Sequence, residues 1–83
     1  MDYKQEIRGY VEKHFLPGGQ GLEDTTPLIS GGLIDSIGML GLISFMESRF
    51  GVEFMPREVD VHTLDNLNLI AALIGRKLAA TAS

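Results

Sequence analysis

With 83 residues, 45% of them hydrophobic and 22% charged, the chain can build one small core and has no room for a second. It has no cysteine, which excludes disulfides and thiolate metal sites, so packed elements alone must supply a net stability of roughly 3–5 kcal/mol. A net charge of −4 argues against nucleic acid, whose phosphates would repel it, and favours protein partners with basic patches.

The first helix is expected over residues 2–15, because Tyr3, Ile7, Tyr10, Val11 and Phe15 recur at three- and four-residue steps on one face. Asp2 suits its N-terminal turn. The opening MDYKQEIRGY holds no signal-peptide core. No apolar run reaches the roughly 18 residues that span a bilayer. The expectation is a free-standing cytoplasmic protein beginning at Met1, without a membrane span. Pro17 and the glycines of LPGGQG stop the helix.

From Leu16 to about Asp35 no periodicity holds, and a loop this long in a small domain is often functional. Leu22, Leu28, Ile29, Leu33 and Ile34 are spaced so that they can pin it over the helices. A second helix is predicted from Ser36 to Phe50, with Met39, Leu42, Ile43, Met46 and Phe50 as its apolar stripe. Gly51 ends it, and VEFMP is a short connector.

Pro56 is placed to open a short helical turn through Arg57, Glu58 and Val59. The last helix is expected to begin near Thr63 as N-cap, with Asp65 in its first turn. Its stripe is Leu64, Leu67, Ile70, Ala71, Ile74 and Leu78, and Arg76 and Lys77 complement the dipole near its end. Residues 80–83 are expected to fray. No strand pattern of useful length and no repeat is present. The fold class is therefore all-α: a small four-helix bundle of three main helices and one short helix, with a long loop between helices 1 and 2.

The stretch GGLIDSIGML, residues 31–40, holds the one pair that invites chemistry, Asp35 and Ser36. The pair admits three readings. As helix caps, either residue is worth about 1 kcal/mol over alanine. As a hydrolase site the pair is poor: IDSIG lacks the first glycine of a nucleophile elbow, and nothing places His14 or His62 beside Ser36. As a phosphate attachment point it is good, because a phosphate ester at a helix N-terminus meets a positive dipole and unpaired N–H groups. Gly31 and Gly32 would let the preceding loop approach closely.

GGLIDSIGML resembles the attachment motif of acyl and peptidyl carrier proteins, in which Asp-Ser and a following apolar residue carry 4′-phosphopantetheine. The order of elements agrees over essentially the whole chain except the tail: first helix, long loop, helix after the serine, terminating glycine, Pro-opened turn and HTLDNL. The carrier domain is then residues 1–79. The resemblance implies that Ser36 is the attachment point for the covalent cofactor, transferred from coenzyme A by a phosphopantetheinyl transferase, and that Asp35 assists this modification. It implies a thioester-bound acyl or aminoacyl cargo, loaded by an adenylating ligase and presented to downstream modifying or transfer enzymes. The carrier is then no enzyme and has no metal of its own, and a monomer is expected.

The resemblance makes the helix after Ser36 the docking surface, whose outer side carries Ile37, Leu40, Gly41, Ser44, Glu47 and Ser48. Ile37 and Leu40 either pack under the loop or form an apolar patch for a partner; Glu47 is either a solvated charge or a contact for a basic partner. Fatty-acid carriers usually have several acids along this helix, whereas here Glu47 stands alone and is followed by Arg49. GLIDSIG is more similar to aminoacyl and peptidyl carriers, including free-standing D-alanine carriers, and a specialised-metabolite pathway fits equally. A fatty-acid or polyketide carrier is the alternative within the class; an unmodified helical interaction module is the alternative outside it. His62 is read as a partly exposed surface residue or a contact for cargo. Met39, Met46 and Met55 are read as core fillers. Leu69 and Leu73 either bury against the loop or form a self-association patch.

Overall fold

The structure, a computed structural model, describes residues 2–16 and 21–82. The stop assigned to Pro17 and its neighbouring glycines lies outside them. The described chain is all-helical, with no strand. Helix α1 spans Tyr3–Phe15, α2 Ser36–Phe50, α3 Val61–Leu64 and α4 Leu67–Ala82, with one 3₁₀ turn at Pro56–Glu58.

Asp2 caps α1 by accepting the Gln5 N–H at 3.2 Å. Ile7 and Val11 are fully buried, and Tyr3, Tyr10 and Phe15 pack half-buried around them. Tyr10 stacks on Phe45 with ring centres 4.4 Å apart, and Tyr3 meets Phe50 edge-on at 5.7 Å, so aromatic rings form the seam between α1 and α2. All five stripe residues of α2 are buried. Gly51 ends α2 at φ +70°, a left-handed conformation that only glycine adopts at no steric cost, and its N–H bonds the Glu47 carbonyl at 3.0 Å.

From Leu22 to Ile34 the loop is fastened to the helices. Leu22, Leu28 and Ile34 are buried in the core. Arg8 donates to the Leu22 carbonyl and bridges Asp24, and Glu12 accepts the Leu22 N–H at 2.9 Å. Lys4 reaches both Asp24, at 3.2 Å, and the Asn68 side chain of α4, at 2.8 Å. These cations hold the Asp24 carboxyl below the ordinary carboxylate value, Lys4 first and then Arg8.

The last third departs from expectation. The last helix begins at Leu67, not near Thr63. Thr63 lies inside the separate helix α3, which Asp60 caps by accepting the N–H groups of His62 and Thr63. The Thr63 hydroxyl donates back to the Glu58 carbonyl. Asn66 makes the cap of α4, accepting the Leu69 N–H at 2.8 Å. Asp60 and Asn66 are both strong caps, and two caps six residues apart split what apolar spacing alone reads as one helix. At its other end α4 continues through Ala82, past the point at which fraying was expected.

Two further differences concern packing. The connector is part of the core: Val52 and Phe54 are buried, while Met55 is 46% exposed and fills no core space. Lys77 fastens this connector to α4, donating to the Glu53 carbonyl at 2.7 Å and to Glu58 at 2.6 Å, with its ammonium 5.1 Å from the Phe54 ring centre. Leu73 is buried and Leu69 is partly exposed.

Candidate functional site

The N-terminus of α2 separates the two residues that the sequence left as a pair. Asp35 has an extended backbone and is the N-cap: its carboxylate accepts the Gly38 N–H at 2.7 Å, and its carbonyl accepts the Met39 N–H at 2.8 Å. Ser36 is the first helical residue and takes no part in capping. It is exposed, and its hydroxyl makes no hydrogen bond among the described residues. The capping requirement therefore accounts for Asp35 and leaves Ser36 unexplained.

Glycines bring the surrounding chain close. A Cβ on Gly38 would lie 2.6 Å from the Phe15 ring, so the end of α1 packs directly on the first turn of α2. A Cβ on Gly31 would lie 2.4 Å from the Pro27 carbonyl oxygen, and Gly32 has φ +78°. The close approach expected of this glycine pair is thus internal to the loop, which winds tightly just before Asp35.

Beside Ser36 opens a cleft of about 500 Å³. Its apolar walls are Ile29 and Ile34 from the loop, Met39 and Leu40 from α2, and Val59 and Val61 from the segment entering α3. Asp35, Ser36 and Asp60 supply the polar part of its lining. A group attached at Ser36 thus starts at a helix N-terminus, where unpaired N–H groups and the dipole favour a phosphate, and has an apolar surface beside it. Among the described residues no group of three His, Cys, Asp or Glu side chains could hold a metal ion. No described helix is long and apolar enough to cross a membrane.

The outer side of α2 resolves the readings left open above. Ile37 is 79% exposed and Leu40 65%, so neither packs under the loop. Ser44 and Ser48 are exposed. Gly41 does not point cleanly outward: a Cβ there would lie 3.2 Å from the Tyr10 hydroxyl of α1. Glu47 is no loose surface charge; its carboxylate accepts the Phe54 N–H at 2.9 Å and ties the connector to α2. His62 is exposed and lies outside the cleft lining. Asp65, read as a first-turn acid of the last helix, instead accepts hydrogen bonds from Ile29 and Ser30 of the loop.

Several site residues gave no signal in the sequence. Val59, Asp60 and Val61 wall the cleft from a segment with no clear periodicity, and Gly38 looks like an ordinary weak point in a helix. Only the run of caps, Asp60 then Asn66, hinted that the chain turns there.

Comparison with known proteins finds no matching family model and no matching characterised relative. What the fold and site define is a small helical bundle that presents an unpaired serine hydroxyl at a helix N-terminus, beside an apolar cleft.

Proposed function

We propose that the chain is a carrier protein whose Ser36 bears a 4′-phosphopantetheine arm, with an acyl or aminoacyl cargo held on the arm's thiol as a thioester. The observation that carries the reading is the division of labour at the start of α2. Asp35 does the capping, and Ser36 is left exposed and unbonded beside the cleft. The Ser36 hydroxyl is thus open to a modifying enzyme without the loss of any bond that holds the fold.

The modification balances simply. The Ser36 hydroxyl oxygen attacks the pantetheine-side phosphorus of coenzyme A. An Oγ–P bond forms, the pyrophosphate P–O bond breaks, adenosine 3′,5′-bisphosphate leaves, and the hydroxyl proton passes to a base of the phosphopantetheinyl transferase. Asp35 keeps the serine at the helix end, where the dipole favours the new phosphodiester. The carrier catalyses nothing in this reading. An adenylating ligase loads the cargo, downstream modifying or transfer enzymes use it, and tethering raises its effective concentration. The single acid on the outer side of α2 favours an aminoacyl or short acyl cargo over the fatty-acid or polyketide alternative. Exposed Ile37 and Leu40 offer an apolar contact next to Ser36 for these enzymes.

Those same two residues support a second reading, an unmodified interaction module that binds a protein through α2 directly. Intact mass separates the two. The protein and Ser36→Ala are incubated with coenzyme A and a broad-specificity transferase. Gain of one phosphopantetheinyl group by the parent and none by the variant is expected. A folded parent that gains nothing with two different transferases overturns the carrier reading in favour of the module.

A further inference from the structure

Asp65 stands at the joint between α3 and α4 and is no part of the cleft lining. Its hydrogen bonds nevertheless converge on the loop that leads to Ser36. Its Oδ1 accepts the N–H groups of Ile29 and Ser30, each at 2.8 Å, and its Oδ2 accepts the Ser30 hydroxyl at 2.7 Å. Its backbone carbonyl accepts the Leu28 N–H at 2.6 Å. A carboxylate is suited to this task, because it accepts only and can take several donors at once. The Ser30 N–H, opposed by desolvation and joined by the Ser30 hydroxyl and the N–H groups of Ile29 and Leu28, holds the Asp65 carboxyl below its ordinary value.

Beyond this grip the loop closes on itself. Gly32 donates to the Ile29 carbonyl at 3.0 Å, and Ile34 to the Leu28 carbonyl at 2.9 Å. Leu28 is fully buried, Ile29 and Ile34 wall the cleft, and Asp35 and Ser36 follow directly. Val61 walls the cleft from α3, only four residues before Asp65. One side chain therefore ties the loop side of the cleft to its α3 side.

We infer that Asp65 is a positioning residue for Ser36: by clamping Ile29 and Ser30 onto the α3–α4 joint with its carboxylate, it fixes both a wall of the cleft and the segment that presents the serine. The functional half of this inference rests on the carrier reading; the structural half does not. Asp65 acts only through the loop. When the clamp is lost, the loop leaves its place for part of the time. A partner enzyme then binds only the fraction in place, so the apparent KM rises by the inverse of that fraction while kcat is unchanged.

The full chain is compared with Asp65→Ala, Asp65→Asn and, as a control for general loss of stability, Ile74→Val. Amide hydrogen exchange is measured first, with no cofactor or enzyme present. Asp65→Ala is expected to speed exchange at Ile29, Ser30 and Ile34 by about tenfold or more, beyond any change at Val11 and Ile43 inside α1 and α2. Phosphopantetheinylation kinetics follow, with coenzyme A and a broad-specificity transferase. KM for the carrier is expected to rise about tenfold, equivalent to about 1.4 kcal/mol, at constant kcat. Asp65→Asn keeps an acceptor oxygen and should recover most of the loss, and Ile74→Val should leave KM where it was. Should Asp65→Ala not fold, Ser30→Ala removes one of the bonds and is expected to give a smaller effect at the same amides. Unchanged protection at residues 29–34, or a rise spread evenly over the chain, overturns the clamp. A loosened loop with an unmoved KM overturns the positioning role. A parent that takes no phosphopantetheine overturns the carrier reading and the functional half with it, while the exchange result still decides the clamp.

Discussion

Replacing Gly31 with alanine tests how tightly the loop before Ser36 is wound. The added Cβ would lie 2.4 Å from the Pro27 carbonyl oxygen and 3.2 Å from its Cγ. Neither neighbour can yield easily. Pro27 has a fixed φ, and Leu28, next in the chain, is fully buried and bonded to the Asp65 carbonyl. Forcing a methyl into such a site costs about 1–3 kcal/mol. The loss of backbone freedom in the unfolded chain returns about 0.4–1 kcal/mol. A net loss of about 1–2 kcal/mol follows, against a total of roughly 3–5 kcal/mol for a chain of this size. At about 4–8 °C per kcal/mol, Tm should fall by about 5–15 °C. The assay is urea unfolding followed by circular dichroism, where the midpoint should drop at an unchanged slope. Gly9→Ala is the control: nothing lies within 4 Å of its Cβ, on the exposed side of α1. That change should stabilise by about 0.8–1.0 kcal/mol through helix propensity alone. If Gly31→Ala is as stable as the parent, the loop is not wound as described and the approach of Gly31 to Pro27 is wrong.

Other perturbations have equally definite outcomes. Gly51→Ala must adopt the left-handed φ of +70° and should lower stability by about 1 kcal/mol, read from the urea midpoint. Leu42→Ala empties a site with no solvent exposure; a loss of about 2–5 kcal/mol should leave much of the protein unfolded at 25 °C by circular dichroism. Lowering pH should destabilise the fold through three carboxylates. Asp24 is held low by Lys4 and Arg8, Glu58 by Lys77 and the Met55 N–H, and Asp65 by the N–H of Ser30. Because their folded values lie below their unfolded ones, their contribution is complete above about pH 5 and disappears as pH falls through about 4 and below. A urea midpoint that rises between pH 5 and pH 3 would contradict this assignment.

Local pattern made some of this legible and distance hid the rest. Helix α2 could be read whole, since its stripe from Met39 to Phe50, its cap and its terminating Gly51 all lie within one window of sequence. Asp35 and Ser36 stood out for the same reason. The break before α4 did not, because Leu64 and Leu67 are spaced as one helix would have them. What separates them is the second cap, Asn66, beside Asp65, whose carboxylate is committed to Ser30 thirty-five positions away. Burial of Val52 and Phe54 is not legible, because a two-residue alternation is too short to read as a pattern. Glu47 was legible as a charge but not as a partner of the Phe54 N–H, which depends on how Gly51 turns the chain back. The cleft is hidden in principle. Its walls come from three segments of sequence, and no single stretch carries its shape.

The aromatic seam between α1 and α2 equips the molecule with its own optical gauge. The chain has no tryptophan and two tyrosines, and both tyrosines sit on α1 against phenylalanines of α2. Tyr10 is flanked by His14 at 4.2 Å and Phe45 at 4.4 Å. The tyrosine bands of the near-ultraviolet dichroism, and tyrosine emission, therefore report on this seam, since the chain has no other tyrosine and no tryptophan. Anything that levers α2 away from α1 while gripping it beside Ser36 can be followed by light, in unlabelled protein and in real time.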